Sequence, residues 1–386
     1  MSEVLVSRKG ANRIASGHPW VFASDVTERS GAEPGSAVQV LDSNRRKLGI
    51  AHYSSTSQIC LRMLSRQVEP VDAGFFERRL AAAVEYRKSV VADSEAYRLV
   101  HAEGDLLPGL IVDRYGDYLS VQTLDQGMDR AKDGIVAGLV NLLNPKGIVL
   151  RNDAAVRRKE NLPLEVTIPH GEVPAAVAVR MNGLQLHADL LHGQKTGIFL
   201  DQRENYLAAA KYAKGTALDC FTSSGGFALH VAARCESVEA VDSSAEALRI
   251  AAQNAAANGI KNVEFREANA FDLLSGYASA RRQFSMVILD PPAFAKSRES
   301  LEGAARGYKD INLRALRLLG PGGILVTCSC SHHMSEAELL EIVAAASLDA
   351  GRTIRVLERR TQSQDHPILL TVPETLYLKV LVLQVL

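Results

Sequence analysis

The stretch Thr216 to Asp242 constrains the chain more than any other. Ala217 and Leu218 lead into Asp219, a polar run carries Gly225 and Gly226, an apolar segment follows, and Val238 to Val241 end at Asp242. A short apolar run, a glycine turn, a helix and a second short apolar run form a βαβ unit, which predicts a buried parallel sheet with helices on its faces. The paired glycines let the backbone turn tightly where a ligand must approach it. Asp242 ends the second strand, where a carboxylate can accept hydrogen bonds from ribose hydroxyls, as in nucleotide-binding α/β folds.

The turn lacks the Gly-x-Gly-x-x-Gly dinucleotide pattern, and Asp219 precedes it. A carboxylate there would repel a pyrophosphate but suits a cofactor that carries an ammonium group, and S-adenosylmethionine fits. An ordinary strand-to-helix turn, where glycine pairs are common, is the competing reading. Directly upstream, Gln194 to Arg203 holds Lys195, Thr196, Gly197, Phe199 and Gln202. That density of donors and acceptors around a turn predicts part of a cofactor pocket; the alternative is a helix start capped by Asp201.

After Asp242 the sequence predicts a helix over 245–257 closed by Asn258-Gly259, then a strand over 263–265 with Asn269 and Ala270 at its end, where an adenine would lie. A strand over 284–289 runs into Asp290-Pro291-Pro292, a helix spans 308–319 and stops at Gly320, and a strand covers 324–327. Ser335 and Glu338 make a capping box, and the tail supplies strands within 353–357 and 376–386. Regular alternation from 216 onward predicts a doubly wound α/β sheet with its ligand cleft at the strand C-termini.

The 386 residues suffice for two or three domains, and the 47% hydrophobic content builds cores without disulfides. Residues 1–70 alternate short β-like runs with turns and carry nine Lys or Arg against six Asp or Glu, clustered at Arg8, Lys9, Arg13 and at Arg45, Arg46, Lys47. A solvated surface explains such clusters as readily as an RNA contact does. Residues 71–180 read as a small α+β domain with no catalytic constellation, and 181–386 as the doubly wound domain. The basic run with Arg151, Arg157, Arg158 and Lys159 could touch phosphates or be a charged linker. Net charge is zero, so no global field drives the chain onto nucleic acid. The five cysteines show no Cys-x-x-Cys spacing, which predicts neither a disulfide framework nor a metal site. No run of apolar residues is long enough for a membrane span, and the expected location is the cytoplasm.

Two further signals sit at predicted strand ends. Asp290-Pro291-Pro292 fixes a carboxylate and carbonyls in a rigid turn able to accept hydrogen bonds from the amino group of a base, and Phe294 could stack on that base. This suits amino methylation of purines as well as carbon methylation of pyrimidines. Carbon-5 of a pyrimidine must first be activated by addition of a thiolate at carbon-6, and Cys328 and Cys330 end the next strand. Two residues apart, they share a face of an extended strand, and geometry does not choose between them.

Gly17-His18-Pro19-Trp20-Val21-Phe22 resembles the start of a PUA domain, a small RNA-binding β-barrel, although Trp20 reads first as a packing anchor. With Glu103-Gly104-Asp105, Leu107 to Gly116, Gln194 to Arg203, Asp219 to Phe227, Asp290-Pro291-Pro292, Arg306 to Asn312, Ser329-Cys330-Ser331 and Asp365-His366-Pro367, the chain resembles the bacterial ribosomal RNA large-subunit methyltransferase I family nearly throughout. The resemblance implies a PUA-type barrel, a central α+β domain and a class I methyltransferase domain with a seven-stranded Rossmann-like sheet. It implies 5-methylcytosine formation in ribosomal RNA from S-adenosylmethionine, with Cys330 as nucleophile and Asp290 on the base. Cofactor contacts would come from Asp219, Phe221, Gly225, Asp242, Asn269, Ala270 and Asp290 with the 195–202 segment. Cys328 stays a candidate, because Thr327-Cys328-Ser329 resembles the cysteine context of other RNA cytosine methyltransferases. A purine N-methyltransferase and a non-catalytic RNA-binding assembly protein are the rival functions, and a homodimer is left open.

Overall fold

The structure is a computed structural model that describes residues 1–193, 198–294 and 301–386. Lys195, Thr196 and Gly197 lie outside the described residues. The chain divides into two compact units, one of Met1–Val177, Asp189–Gly193 and Gln364–Thr375, the other of Ala178–Ala188, Gln194–Ser363 and Leu376–Leu386. Among the described residues no helix is long and apolar enough to cross a membrane.

The first unit holds two sheets, each with its own core. A six-stranded sheet built from residues 3–65 packs Val4, Val21, Val40 and Leu61 around the helix Arg8–Ala15, whose N-terminus Ser7 caps. Trp20 is an anchor here: its Nε1 donates to Glu103 Oε1 at 2.8 Å, giving a half-buried carboxylate a partner. Part of the basic clusters is paired within the fold. Arg46 pairs with Asp42 at 2.7 Å, Arg45 with Glu3 at 3.4 Å, and the Arg13 guanidinium lies 4.6 Å from the Phe22 ring centre.

The second sheet has five strands between Ala96 and Gly171, covered by the helices Ala73–Val90 and Lys132–Leu143. A short helix, Gln126–Arg130, capped by Asp125, precedes Lys132–Leu143. Half of the basic run 151–159 is structural. Arg157 is fully buried and donates to Pro163 O and Asp129, and Arg151 is buried against Leu190 O and Asp153; only Arg158 and Lys159 of the four are exposed. Asp365 belongs to this unit as well, its carboxylate accepting from the Arg98 N–H at 2.8 Å and its carbonyl from the buried Arg87 at 2.7 Å. A motif whose chemistry the sequence leaves unexplained is therefore an acceptor set for a buried arginine.

The second unit opens with a hairpin of Val177–Met181 and Leu184–Ala188, turned by Asn182 and Gly183 with φ of 53° and 80°. Positive φ at both central residues is the type I′ turn that Asn-Gly favours. Its main sheet has seven strands, here β1 (Thr216–Cys220), β2 (Ser237–Asp242), β3 (Val263–Glu267), β4 (Phe284–Leu289), β5 (Leu319–Ser329), β6 (Ile354–Arg360) and β7 (Lys379–Val385), in the order β3-β2-β1-β4-β5-β7-β6. The first five run parallel, and β7 inserts antiparallel between β5 and β6. Helices α1 (Arg203–Tyr212), α2 (Gly226–Ala232), α3 (Ala245–Ala257), α4 (Ala270–Ser279), α5 (Leu301–Arg317) and α6 (Glu336–Asp349) connect or flank these strands. The sheet reverses direction of winding at β1, so the C-terminal ends of β1, β2 and β4 converge on one crevice. The β5 strand begins earlier than its glycines suggest, because Gly322 at φ 77° absorbs a bulge opposite β4 and pairing resumes at Ile324.

Candidate active site

The crevice begins at Asp219, the fourth residue of β1 and fully buried. Its Oδ2 accepts from Thr222 Oγ1 at 2.6 Å and from the Ala228 N–H at 3.0 Å. Oδ1 is buried with no hydrogen-bond partner among the described residues. Burial raises the Asp219 pKa to about 7; the Thr222 hydrogen bond opposes this, and the charges of Asp290 and Asp242 add to it. A buried carboxylate oxygen without a donor, beside two more carboxylates, is suited to a cationic ligand.

The turn after β1 is unusual in its backbone. Phe221, Ser223 and Gly225 have φ of 66°, 50° and 88°. This lets the Ser223 N–H reach Asp242 Oδ2 at 2.9 Å, while Asp242 Oδ1 accepts from the Ser244 N–H at 2.9 Å. The carboxylate at the end of β2 is thereby fixed in orientation, leaving its remaining lone pairs for a ligand. Asn269, expected near the adenine, caps α4 with its Oδ1, accepting from Phe271 N–H at 2.9 Å, with the buried Ala270 next in line. Phe221, Phe271, Phe294 and Tyr308 form a run of aromatic neighbours with centre-to-centre spacings of 6.5, 5.7 and 4.6 Å, a wall that planar rings could join.

Asp290 follows β4, and its Oδ2 accepts from Gln202 Nε2 at 3.1 Å. Gln202 is buried and is itself positioned by Asn205, whose Nδ2 donates to Gln202 Oε1 at 2.7 Å. Phe199, three residues upstream, offers its carbonyl to the Tyr206 hydroxyl at 3.4 Å. The structure thus brings Phe199, Gln202, Asp219, Phe221, Gly225, Asp242 and Asp290 to neighbouring strand ends and turns.

The two cysteines are not equivalent. Cys328 lies within β5 opposite Val380 and is fully buried; burial and then the Asp290 charge push its thiol well above the ordinary range, against a hydrogen bond with Gln202. The strand ends at Ser329, so Cys330 lies beyond the extended segment and is half-exposed. The shared face expected of an extended strand is lost at that point. Tyr308 of α5 secures the segment: its hydroxyl lies 3.0 Å from Ser329 Oγ and 3.2 Å from Ser331 Oγ. Lys379, the first residue of β7, donates from Nζ to Ser331 O at 2.6 Å and to Tyr377 O at 2.9 Å.

Sequence reading missed Tyr308 and Lys379 as site residues. The helical period around Tyr308 accounts for it as core, and Lys379 arrives from the far end of the chain through an antiparallel strand. A separate cleft of about 330 Å³, lined by residues including Thr216, Ser237 and Phe284, sits at the opposite, N-terminal ends of β1, β2 and β4 and contains none of these groups.

The strand order, with acidic residues ending β1, β2 and β4, defines a methyltransferase domain joined to a PUA-like domain. The family described as a PUA-like domain matches residues 4–66, and the one described as a methyltransferase domain matches residues 212–369. The chain belongs to the ribosomal RNA large subunit methyltransferase I family. It is 41% identical over 378 residues to the Shewanella denitrificans member, covering 95% of each chain, and 39% identical over 385 residues to a Klebsiella pneumoniae member, covering 97% of this chain and 96% of that one. In fold it is similar to a putative SAM-dependent methyltransferase from Streptococcus mutans, with a TM-score of 0.85 at 19% identity over 100% of both chains. A solved putative methyltransferase complexed with SAH gives the same TM-score, identity and coverage.

Proposed function

We propose that this protein methylates carbon-5 of a cytosine in large-subunit ribosomal RNA, with Cys330 adding to carbon-6 of the base. The methyl donor is S-adenosylmethionine, which when bound supplies an electrophilic methyl group on a sulfonium. Asp219 would hold its ammonium, Asp242 its ribose hydroxyls, and Phe221 with Ala270 would flank the adenine. The unpartnered Asp219 oxygen supports this assignment, because an ammonium supplies the donor that the oxygen lacks.

The half-exposed Cys330 carries the reading. Its thiolate would form an Sγ–C6 bond as the C5=C6 electron pair moves to carbon-5, making that carbon nucleophilic. Once carbon-5 is methylated, loss of its proton restores the double bond and releases the thiolate. Asp290, oriented by Gln202, would accept a hydrogen bond from the cytosine amino group and hold the ring in register. Cys328 is disfavoured for this role, since a fully buried thiol with a strongly raised pKa is a poor source of thiolate.

The test is nucleoside mass spectrometry of unmodified large-subunit ribosomal RNA incubated with isotopically labelled S-adenosylmethionine. Labelled 5-methylcytidine is expected, absent with Cys330→Ala and retained with Cys328→Ala. A labelled N-methylated purine would sink the covalent mechanism, and RNA binding without any label would favour the assembly-protein reading.

A further inference from the structure

Lys379 is 4% exposed, and no carboxylate of the described residues lies within 4.0 Å of its ammonium. Buried ammonium groups are found paired, because removing one from water without a counter-charge is expensive. Two of its three N–H donors go to the carbonyls of Ser331 and Tyr377. Those bonds fix the ammonium on the backbone immediately after Cys330, and the register Ser329 opposite Lys379 holds the two strands together there. From the other side, the Tyr308 hydroxyl holds the serines that bracket Cys330. The residues on either side of Cys330 are thus held by two buried groups, one of them a cation without a carboxylate partner within 4.0 Å among the described residues, and a lysine close to a cysteine in the chain fold is a setting that favours a thiolate.

We propose that Lys379 is the counter-ion of the Cys330 thiolate, a positioning residue for the methyl-transfer reaction that acts through the cysteine. The proposal rests on the reading of Cys330 as nucleophile. The thiol proton leaves to water on the exposed side of Cys330, and Lys379 stays an ammonium throughout. When Sγ bonds to carbon-6 the negative charge passes to the pyrimidine ring, and it returns to sulfur when the Sγ–C6 bond breaks.

The titratable groups around the pair come from three further elements, Tyr308 of α5, Cys328 of β5 and Glu338 of α6, with the His332 ring tilted against Tyr377 at 5.6 Å between centres. Burial lowers the Lys379 pKa to about 8, while Cys330 and Glu338 favour its charge. The ammonium is therefore present below about pH 8 and lost above it, whereas the thiolate forms as pH rises. The ion pair is most populated between the two titrations.

Alkylation of the full-length protein by iodoacetamide across a pH series, read at the Cys330 peptide by mass spectrometry, tests the pair directly; the other four cysteines are buried. In the wild type the Cys330 midpoint is expected below the free-cysteine value of about 8.5. Lys379→Gln is expected to slow alkylation at neutral pH about tenfold, a midpoint shift of about one unit, and Lys379→Arg to restore it. A wild-type midpoint at or above the free value, or one unmoved by Lys379→Gln, overturns the proposal. If the Gln variant does not fold by circular dichroism, the wild-type midpoint and the Arg variant decide. Methylation by Cys330→Ala separates the two readings: an active Cys330→Ala enzyme with a Lys379-dependent midpoint removes the nucleophile role and leaves the ion pair. An inactive one with an unmoved midpoint removes the ion pair alone.

Discussion

Replacing Asp219 by Asn exchanges a buried carboxylate for a neutral group of the same shape, and the structure sets the size of the effect. Burial raises the Asp219 pKa from 3.8 to about 7. The native state therefore keeps a proton that the unfolded chain releases between those values, and stability falls as pH rises through that window. At about 1.4 kcal/mol per unit, the shift of about three units amounts to roughly 4 kcal/mol lost by neutral pH in the ligand-free protein. An Asn can direct its oxygen to Thr222 and Ala228, the donors that Oδ2 now serves. Its NH2 then takes the position of the unpartnered Oδ1, at a cost of about 1–3 kcal/mol. The balance predicts a variant about 1–3 kcal/mol more stable than wild type near pH 8, with no advantage near pH 4. Hydrogen exchange at Ala217 to Cys220, corrected for intrinsic rates, is the direct measurement. The same variant should bind S-adenosylmethionine about 10–100-fold more weakly by calorimetry, since a charge-assisted hydrogen bond is worth roughly 1.5–3 kcal/mol. Equal protection of the two proteins near pH 8, or wild-type protection flat across the titration window, would refute the reasoning.

Tyr308→Phe removes one hydroxyl from between two buried serines and should cost about 1–3 kcal/mol in denaturant unfolding of the second unit. Its turnover, measured as labelled methyl groups transferred to ribosomal RNA per minute, should fall more than tenfold, because the cysteine segment loses a support. Gly226→Ala puts a Cβ into the Tyr206 ring at the start of α2. That substitution should destabilise by about 1–3 kcal/mol in calorimetry and weaken cofactor binding, as overpacking displaces the turn.

The parts legible in the sequence were those written in local chemistry. The glycine turn after Asp219 and the Ser335–Glu338 capping box each occur where a few adjacent residues dictate them. Regular alternation was enough for the doubly wound sheet, since each apolar run needs a covered strand on either side. Side chains with two competing uses were less legible. Asn269 reads in the sequence only as a residue near the adenine, and its oxygen also caps α4; Arg157 reads as meeting phosphate or lying in a charged linker, and burial gives it to the fold's own acceptors. The cysteine pair was ambiguous because the choice turns on one residue of strand length, with β5 stopping at Ser329 so that Cys328 is enclosed and Cys330 is not.

The same strand end explains why the surroundings of Cys330 needed the tertiary structure. A parallel sheet supplies the crevice from β1, β2 and β4, whose ends point the same way and whose acidic residues lie at or next to those ends in sequence. The antiparallel β7 enters from the opposite direction, so its first residue, and not its last, lies at the crevice end of the sheet. Lys379 consequently reaches Ser331 from nearly 50 residues downstream, with β6 and a segment of the first unit intervening in the chain. No periodicity or motif spacing encodes that approach, but the topology requires some residue at the start of β7 to face the end of β5. A lysine there, rather than an apolar residue, brings a charge whose burial must be compensated, and the two carbonyls it meets, the Glu338 charge and, in the proposal above, the Cys330 thiolate share that compensation.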